Sequence, residues 1–224
     1  MIFRHSGATG DIIFSLPTIR HMGGGKLIIY PFHEQRAKSI KKLIEIQPYI
    51  TEVEISDSND FTHDLNKFRD VFKGANDSIV EAHFRGQGIT EYPEYKSGWL
   101  TLPKKDMMYL HSYSIINRTT NYADPNFDWK KEVEYLETIS DEVFFIGYKE
   151  ECDIFNHTFG TNVKFIDVDF LEGAYLLRDA AMFSGCYSCW STIAQGLGIN
   201  YRIEQAPNHT CSTFFIDRET IINA

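Results

Sequence analysis

Along this chain of 224 residues, short apolar runs rich in β-branched and aromatic side chains alternate with segments whose apolar positions recur every three or four residues. The first pattern marks strands and the second marks helices, so their alternation predicts β–α units and a parallel sheet. In the first half, strands are predicted at Ile2–His5, Lys26–Tyr30, Glu52–Ile55 and Ser78–His83. The clearest helix spans Glu34–Gln47, where Ala37, Ile40, Leu43, Ile44 and Gln47 share one face and Lys38, Lys41 and Lys42 take the other; Pro48 ends it. Residues 84–108 hold Gly86, Gly88, Pro93, Gly98 and Pro103 and follow neither period, which predicts a linker with binding loops.

A second series begins after this linker. Strands are expected at Tyr113–Asn117, Val143–Gly147, Val163–Ile166, Met182–Gly185 and Tyr201–Glu204, and helices at Trp129–Ser140, Leu171–Ala180 and Ser191–Leu197. The predicted fold is α/β, with two Rossmann-like halves facing a cleft, parallel sheets and helices on both faces. The halves are placed at residues 1–105 and 106–224.

Hydrophobic residues make up 43% and charged residues 24% of the chain, a globular composition that excludes disordered and fibrous classes. No run approaches the ~20 apolar residues of a membrane span, and no cleavable leader follows Met1, so a cytoplasmic protein is expected. The net charge of -9 is uneven. Residues 1–105 hold 14 Lys+Arg against 13 Asp+Glu, and residues 106–224 hold 8 against 18. The acidic second half argues against phosphate-backbone binding there, while the near-neutral first half leaves an anionic partner open. Cys152, Cys186, Cys189 and Cys211 are too few for a disulfide framework. Cys186, Cys189, His209 and Cys211 offer four zinc-ligand types, but with no second C-x-x-C the expectation is no metal site.

Two loops carry candidate chemistry. Gly7-Ala8-Thr9-Gly10-Asp11 lies between a predicted strand and the apolar helical segment Ile12, Ile13, Leu16, Ile19. There, glycines let a ligand approach the backbone and a helix start offers free N–H groups. The spacing is neither a dinucleotide nor an ATP fingerprint. Asp11 reads either as a carboxylate favoured by the helix dipole or as a general base. Pro17 implies a kink or a late helix start near Ser15. The second loop places Ser188, Ser191 and Thr192 where a helix begins after Met182–Gly185. It reads either as a plain serine cap or as a diphosphate site.

Gly7-x-x-Gly10-Asp11 with Pro17 six residues on, together with the late Gly185–Gly198 segment, resembles the heptosyltransferase group known as glycosyltransferase family 9. In the late segment Tyr187 stands for the family's acid, Ser188 for its Thr, Cys189 for its Gly and Thr192 for its His. The resemblance implies the two-domain GT-B fold, with the acceptor held mainly by the first half and the nucleotide-sugar donor by the second. It implies Asp11 as catalytic base, Gly7 and Gly10 as the glycine loop, and Arg118, Thr119, Ser188, Ser191 and Thr192 as donor-diphosphate contacts. Arg118 opens Arg118-Thr119-Thr120-Asn121-Tyr122 after a predicted strand. His83 and Arg85 are acceptor-contact candidates; Glu91, His5 and His111 read as structural or merely exposed.

The expected chemistry is metal-independent, inverting transfer from a nucleotide-sugar donor to an acceptor hydroxyl, with no cofactor. The acceptor class is a glycan or lipid-linked glycan. Two alternatives stand beside it. A DNA-base-modifying glycosyltransferase needs a basic stripe containing Lys38, Lys41 and Lys42. A non-catalytic nucleotide- or sugar-binding protein is suggested by the missing acid and His of the late motif.

Overall fold

The computed structural model describes residues 1–31, 34–74, 77–91, 98–104, 111–120 and 123–204, with the backbone of 221–222 and without the Arg36 side chain. The first sheet contains β1 (Ile2–His5), β2 (Gly25–Ile29), β3 (Ile50–Ile55) and β4 (His63–Asp64) in the order β3-β2-β1-β4. The second contains β5 (Tyr113–Asn117), β6 (Glu142–Phe145), β7 (Lys164–Phe165), β8 (Met182–Gly185), β9 (Tyr201–Glu204) and β10 (Ile221–Ile222) in the order β10-β9-β8-β5-β6-β7. Every strand pairing is parallel. Renumbered within its half, the second order is 6-5-4-1-2-3, the doubly wound Rossmann order read from its other edge. The first sheet carries the 3-2-1-4 portion of the same order.

The helices of the first half are α1 (Thr9–His21), α2 (Glu34–Glu45), the single turn α3 (Phe68–Val71) and α4 (Ile79–Gly86). Those of the second are α5 (Trp129–Ile139), α6 (Lys149–Phe159), α7 (Phe170–Asp179) and α8 (Cys189–Leu197). Successive strand residues point to opposite faces, and the second sheet uses both. Ile115, Phe144 and Phe183 join the core beneath α7 and α8, whereas Ile116, Phe145 and Val143 meet Trp129, Leu136 and Phe155 of α5 and α6. Helices therefore cover both faces.

The larger core is continuous from Phe3 and Leu27 of the first sheet through Ile13 and Leu16 of α1 and Ile40 of α2 to Leu177 of α7 and Ile193 of α8. The two halves thus meet through a shared apolar layer in which α1 packs on α8 and α2 on α7. Gly173 of α7 makes the second-half side of this layer close enough to pack. A Cβ there would lie 2.4 Å from the Trp190 ring of α8, so only glycine leaves room for the indole. At the rim, Lys42 of α2 bridges to Asp169, the N-cap of α7, at 2.7 Å.

Three sequence expectations differ. Ser78–His83 is not a strand: Ser78 caps α4 by accepting the Glu81 N–H, and Ile79, Val80, Ala82, His83 and Phe84 are buried on the helix. A Ser-x-x-Glu start outweighs a short β-branched run when the neighbours offer a helical bed. Pro17 does not delay α1, which starts at Thr9 and carries Pro17 buried in its interior. Finally, α6 and the His63–Val71 segment had no predicted element. The burial of only Cys152 and Phe155 in α6 makes its apolar stripe thin.

Candidate active site

The carboxyl end of β1 runs into Ser6 and Gly7, and α1 begins two residues later with Ala8 as an N-cap that supplies no side-chain hydrogen bond. Asp11 sits in the first turn, where the helix dipole favours a carboxylate. Its side chain is 27% exposed and its Oδ2 lies 3.9 Å from the Arg69 guanidinium. Burial pushes the Asp11 carboxyl above its ordinary range, opposed by the Arg69 charge and by the Ala8 N–H.

Gly7 is needed because the space beside it is full. A Cβ at Gly7 would come within 2.5 Å of His5 Cε1 and 2.9 Å of both Asp11 Oδ2 and the Arg69 guanidinium. The Gly7 N–H donates to His5 Nδ1 at 2.8 Å, which assigns that nitrogen as acceptor and leaves the proton on Nε2. His5 and His83 are wholly enclosed beneath the loop, with ring centroids 5.3 Å apart, and both pack on Phe68. Burial lowers both imidazoles, His5 well below the usual range and His83 to about 3, so both are neutral near pH 7.

A set of polar contacts from beyond β4 braces this loop. Asn66 Oδ1 accepts from the Ser6 N–H at 2.9 Å, the Ser6 hydroxyl at 2.8 Å and Arg69 at 2.8 Å. Asn66 is itself fixed by Asp64 Oδ1, which accepts from its backbone and side-chain nitrogens. Asn66 and Arg69 were not foreseen. The Ser6–Asn66 contact depends on β1 pairing with β4, Phe3 opposite His63, a register that nothing local in the sequence encodes.

The second loop faces the first across the α1–α8 packing. A Cβ at Gly10 would make ordinary contact with Thr192 Oγ1 at 3.5 Å and Cys189 Cα at 3.8 Å. The glycine loop and the late motif are therefore brought together, amino terminus to amino terminus. Ser188 caps α8: its Oγ accepts the Ser191 N–H, and Ser191 Oγ accepts the Ser188 N–H at 3.0 Å. The Ser191 and Thr192 hydroxyls both donate to the Ser188 carbonyl, at 2.7 and 3.1 Å, and both residues are buried.

Arg118 and Thr119 lie alongside, because β5 pairs with β8 and sets Asn117 opposite Gly185. The Thr119 N–H donates to Cys186 Sγ at 3.1 Å. Burial raises that thiol to about 11. Arg118 is paired with Glu204 at 3.2 Å and lies over the Phe159 ring. Glu204 is fully enclosed and also accepts from Trp129 Nε1 at 2.9 Å; burial raises it to about 7 against the pull of Arg118.

His83 and Arg85, expected at a strand end, are carried by α4 instead. His83 is enclosed, and Arg85 is engaged by Asp77 and Glu81. Lys38 and Lys41 pair with Glu34 and Glu45, and Lys42 with Asp169, so the basic stripe required for DNA contact is matched by carboxylates. Glu91 and His111 are exposed. Asn121, Tyr122, His209 and Cys211 lie outside the described residues, as does part of the predicted linker.

No protein-family model and no curated protein matches the sequence. Solved structures do match. The E. coli heptosyltransferase WaaC with ADP superposes at a TM-score of 0.66 with 10% identity, over 99% of this chain and 91% of that one. A glycosyl transferase family 9 protein from Veillonella parvula gives 0.65 with 8% identity, over 91% and 79%. The iron-containing dodecameric glycosyltransferase TibC from enterotoxigenic E. coli gives 0.60 with 12% identity, over 91% of this chain and 57% of its own. With two parallel sheets, alternating helices and apposed carboxyl strand ends, the chain has a divergent form of the GT-B-like fold found in the family 9 heptosyltransferases.

Proposed function

We propose that the protein is a metal-independent, inverting glycosyltransferase that moves a sugar from a nucleotide-sugar donor to a hydroxyl of a glycan or lipid-linked glycan. The observation that carries this reading is the convergence of the two loops: Gly10 meets Thr192 and Cys189, so the segment that carries Asp11 touches the amino-terminal turn of α8. A carboxylate carried by one of two touching segments and a helix amino terminus on the other suit a reaction in which one end gives up a proton and the other gains negative charge.

In this reading Asp11 takes the proton from the acceptor hydroxyl. The oxygen attacks the anomeric carbon, the bond to the diphosphate breaks on the opposite face, and the nucleoside diphosphate leaves with the electron pair. Base catalysis of this kind contributes roughly 10²- to 10⁴-fold. A carboxyl raised by burial accepts a proton more readily than an exposed one, and the Arg69 charge opposes that rise. The amino terminus of α8 with the Ser188 hydroxyl, and the adjoining Arg118 and Thr119, stabilise the leaving diphosphate, while Ser191 and Thr192 hold that helix start by donating to the Ser188 carbonyl. The first half, residues 1–105, serves the acceptor and the second, 106–224, the donor. A cytoplasmic location fits such donors, and among the described residues no helix is long and apolar enough to cross a membrane.

WaaC is described with ADP and with ADP-2-deoxy-2-fluoro heptose, which makes an ADP-sugar the first donor to try. The test is a thermal-shift series with ADP-, GDP-, UDP- and CDP-sugars, with and without EDTA. Selective stabilisation by one nucleotide class, unchanged by EDTA, supports the reading, because a ligand that binds only the folded state raises its stability by mass action. No shift with any of them at millimolar concentration rejects it, and a shift abolished by EDTA rejects metal independence, which the iron in TibC makes worth testing.

A further inference from the structure

We propose that Arg69 is a positioning residue for the proposed base, its guanidinium held beside the Asp11 carboxyl at the glycine loop. The proposal rests on the reading of Asp11 above and extends it to a residue that carries no motif.

Arg69 is half exposed at 44%, yet it is not a free surface cation. One of its nitrogens donates to Asn66 Oδ1 at 2.8 Å, and its guanidinium carbon sits 4.8 Å from the centre of the Phe68 ring. Asn66 is the same group that receives the Ser6 N–H and hydroxyl, so the brace that fixes the entry to the glycine loop also fixes the cation. The other guanidinium nitrogen stands 3.9 Å from Asp11 Oδ2. That separation is too long for a hydrogen bond but within the range where an opposite charge favours the ionised carboxylate. The charged form is thereby favoured without its proton-accepting lone pairs being occupied by the arginine.

Among the described residues, the charges around Asp11 leave this role to Arg69. From β1, His5 is neutral with Nδ1 committed to the Gly7 N–H. From α4, His83 is neutral, and Arg85 is turned to Asp77 and Glu81. From β4, Asp64 is bound to Asn66; Asp70 of α3 is exposed, and α8 contains no charged residue. Two uncharged imidazoles below and one cation beside describe a carboxylate that burial would tend to neutralise and Arg69 opposes.

The experiment is a pH titration of protein carrying aspartate labelled with ¹³C at the side-chain carboxyl, with the Asp11 signal assigned by its absence in Asp11→Asn. Arg69→Gln is expected to move the Asp11 midpoint upward and Arg69→Lys to bring it back toward wild type, with unchanged melting because the side chain is half exposed. An unmoved midpoint in Arg69→Gln overturns the proposal, as does a Lys variant displaced as far as the Gln variant, which would assign the effect to shape instead of charge. In turnover, the acid limb of kcat/KM should shift to higher pH in Arg69→Gln and return toward wild type in Arg69→Lys. An acid limb that stays where it is in wild type also overturns the proposal. The titration reads the carboxylate itself, so it is separate from whether Asp11→Asn retains turnover, which tests the base assignment alone.

Discussion

Replacing Gly7 by Ala adds one methyl group at the most crowded point of the candidate site. The Gly7 backbone lies outside the left-handed region, so alanine meets no conformational strain and the cost is steric. Asp11 Oδ2 and the Arg69 guanidinium, each 2.9 Å from the new Cβ, are ends of side chains that can move aside. His5 Cε1, at 2.5 Å, cannot, because the ring is enclosed between Phe68, His83 and the loop. Overpacking of this kind costs about 1–3 kcal/mol. If the ring moves, its bond to the Gly7 N–H is lost as well, adding about 0.5–1.5 kcal/mol. Denaturant unfolding should therefore show a loss of roughly 1–4 kcal/mol, and a chain of this size should melt lower by about 2–4 °C for each kcal/mol. His5→Ala in the same chain removes the clash, so the Gly7→Ala penalty should shrink by about 1 kcal/mol or more in that background. If the two changes instead add to within about 0.5 kcal/mol, the close approach of His5 to Gly7 is not what makes glycine necessary, and the reasoning fails.

Further outcomes follow from other packed or titrating groups. Trp190→Ala, which empties the notch beside Gly173 in the layer between the halves, should cost about 3–5 kcal/mol in denaturant unfolding; a loss below about 1 kcal/mol would show that α8 is not anchored there. Glu204 has a folded value of about 7 against 4.5 for a free carboxyl, so the folded state binds its proton more tightly. Its contribution to stability is accordingly greatest below pH 4.5 and declines as pH rises through 7. Between pH 5 and 7 the stability of Glu204→Gln should fall less with pH than that of wild type, and parallel curves would remove Glu204 as the cause. Cys186, enclosed and raised to about 11, should resist iodoacetamide at pH 8 in the folded protein and react on unfolding, as followed by peptide mass spectrometry. Rapid native labelling would contradict its burial.

The strands were legible where a short apolar run is bounded by polar or glycine residues, and β1, β5, β8 and β9 have the limits that their sequences predict. Ser78–His83 was misread because Ile79 and Val80 are as much at home on a buried helix face as in a strand, and the Ser78 cap decides between them. The α6 helix went unseen because its first turn is charged and only Cys152 and Phe155 face the core. Gly7, Gly10 and Asp11 were readable as the passage from strand into helix, with Gly10 and Asp11 falling in the first turn of α1. Their surroundings were not: Asn66 and Arg69 arrive through the β1–β4 pairing, and His5 and His83 meet through the packing of α4 against α1. Likewise the composition around Arg118 gave no hint that Glu204, 86 positions away in sequence, already partners it.

The role of Asp11 as base, on a segment that touches the amino-terminal turn of α8, is the centre of the account, and nucleoside diphosphate release tests it most directly. The measurement compares wild type with Asp11→Asn on whichever nucleotide sugar stabilises the fold, with donor affinity determined for both. The account predicts release by wild type, loss of release in Asp11→Asn by about 10² or more, and unchanged donor binding. Equal release by the two proteins, or donor binding by wild type without any release in the presence of candidate glycan acceptors, would contradict it.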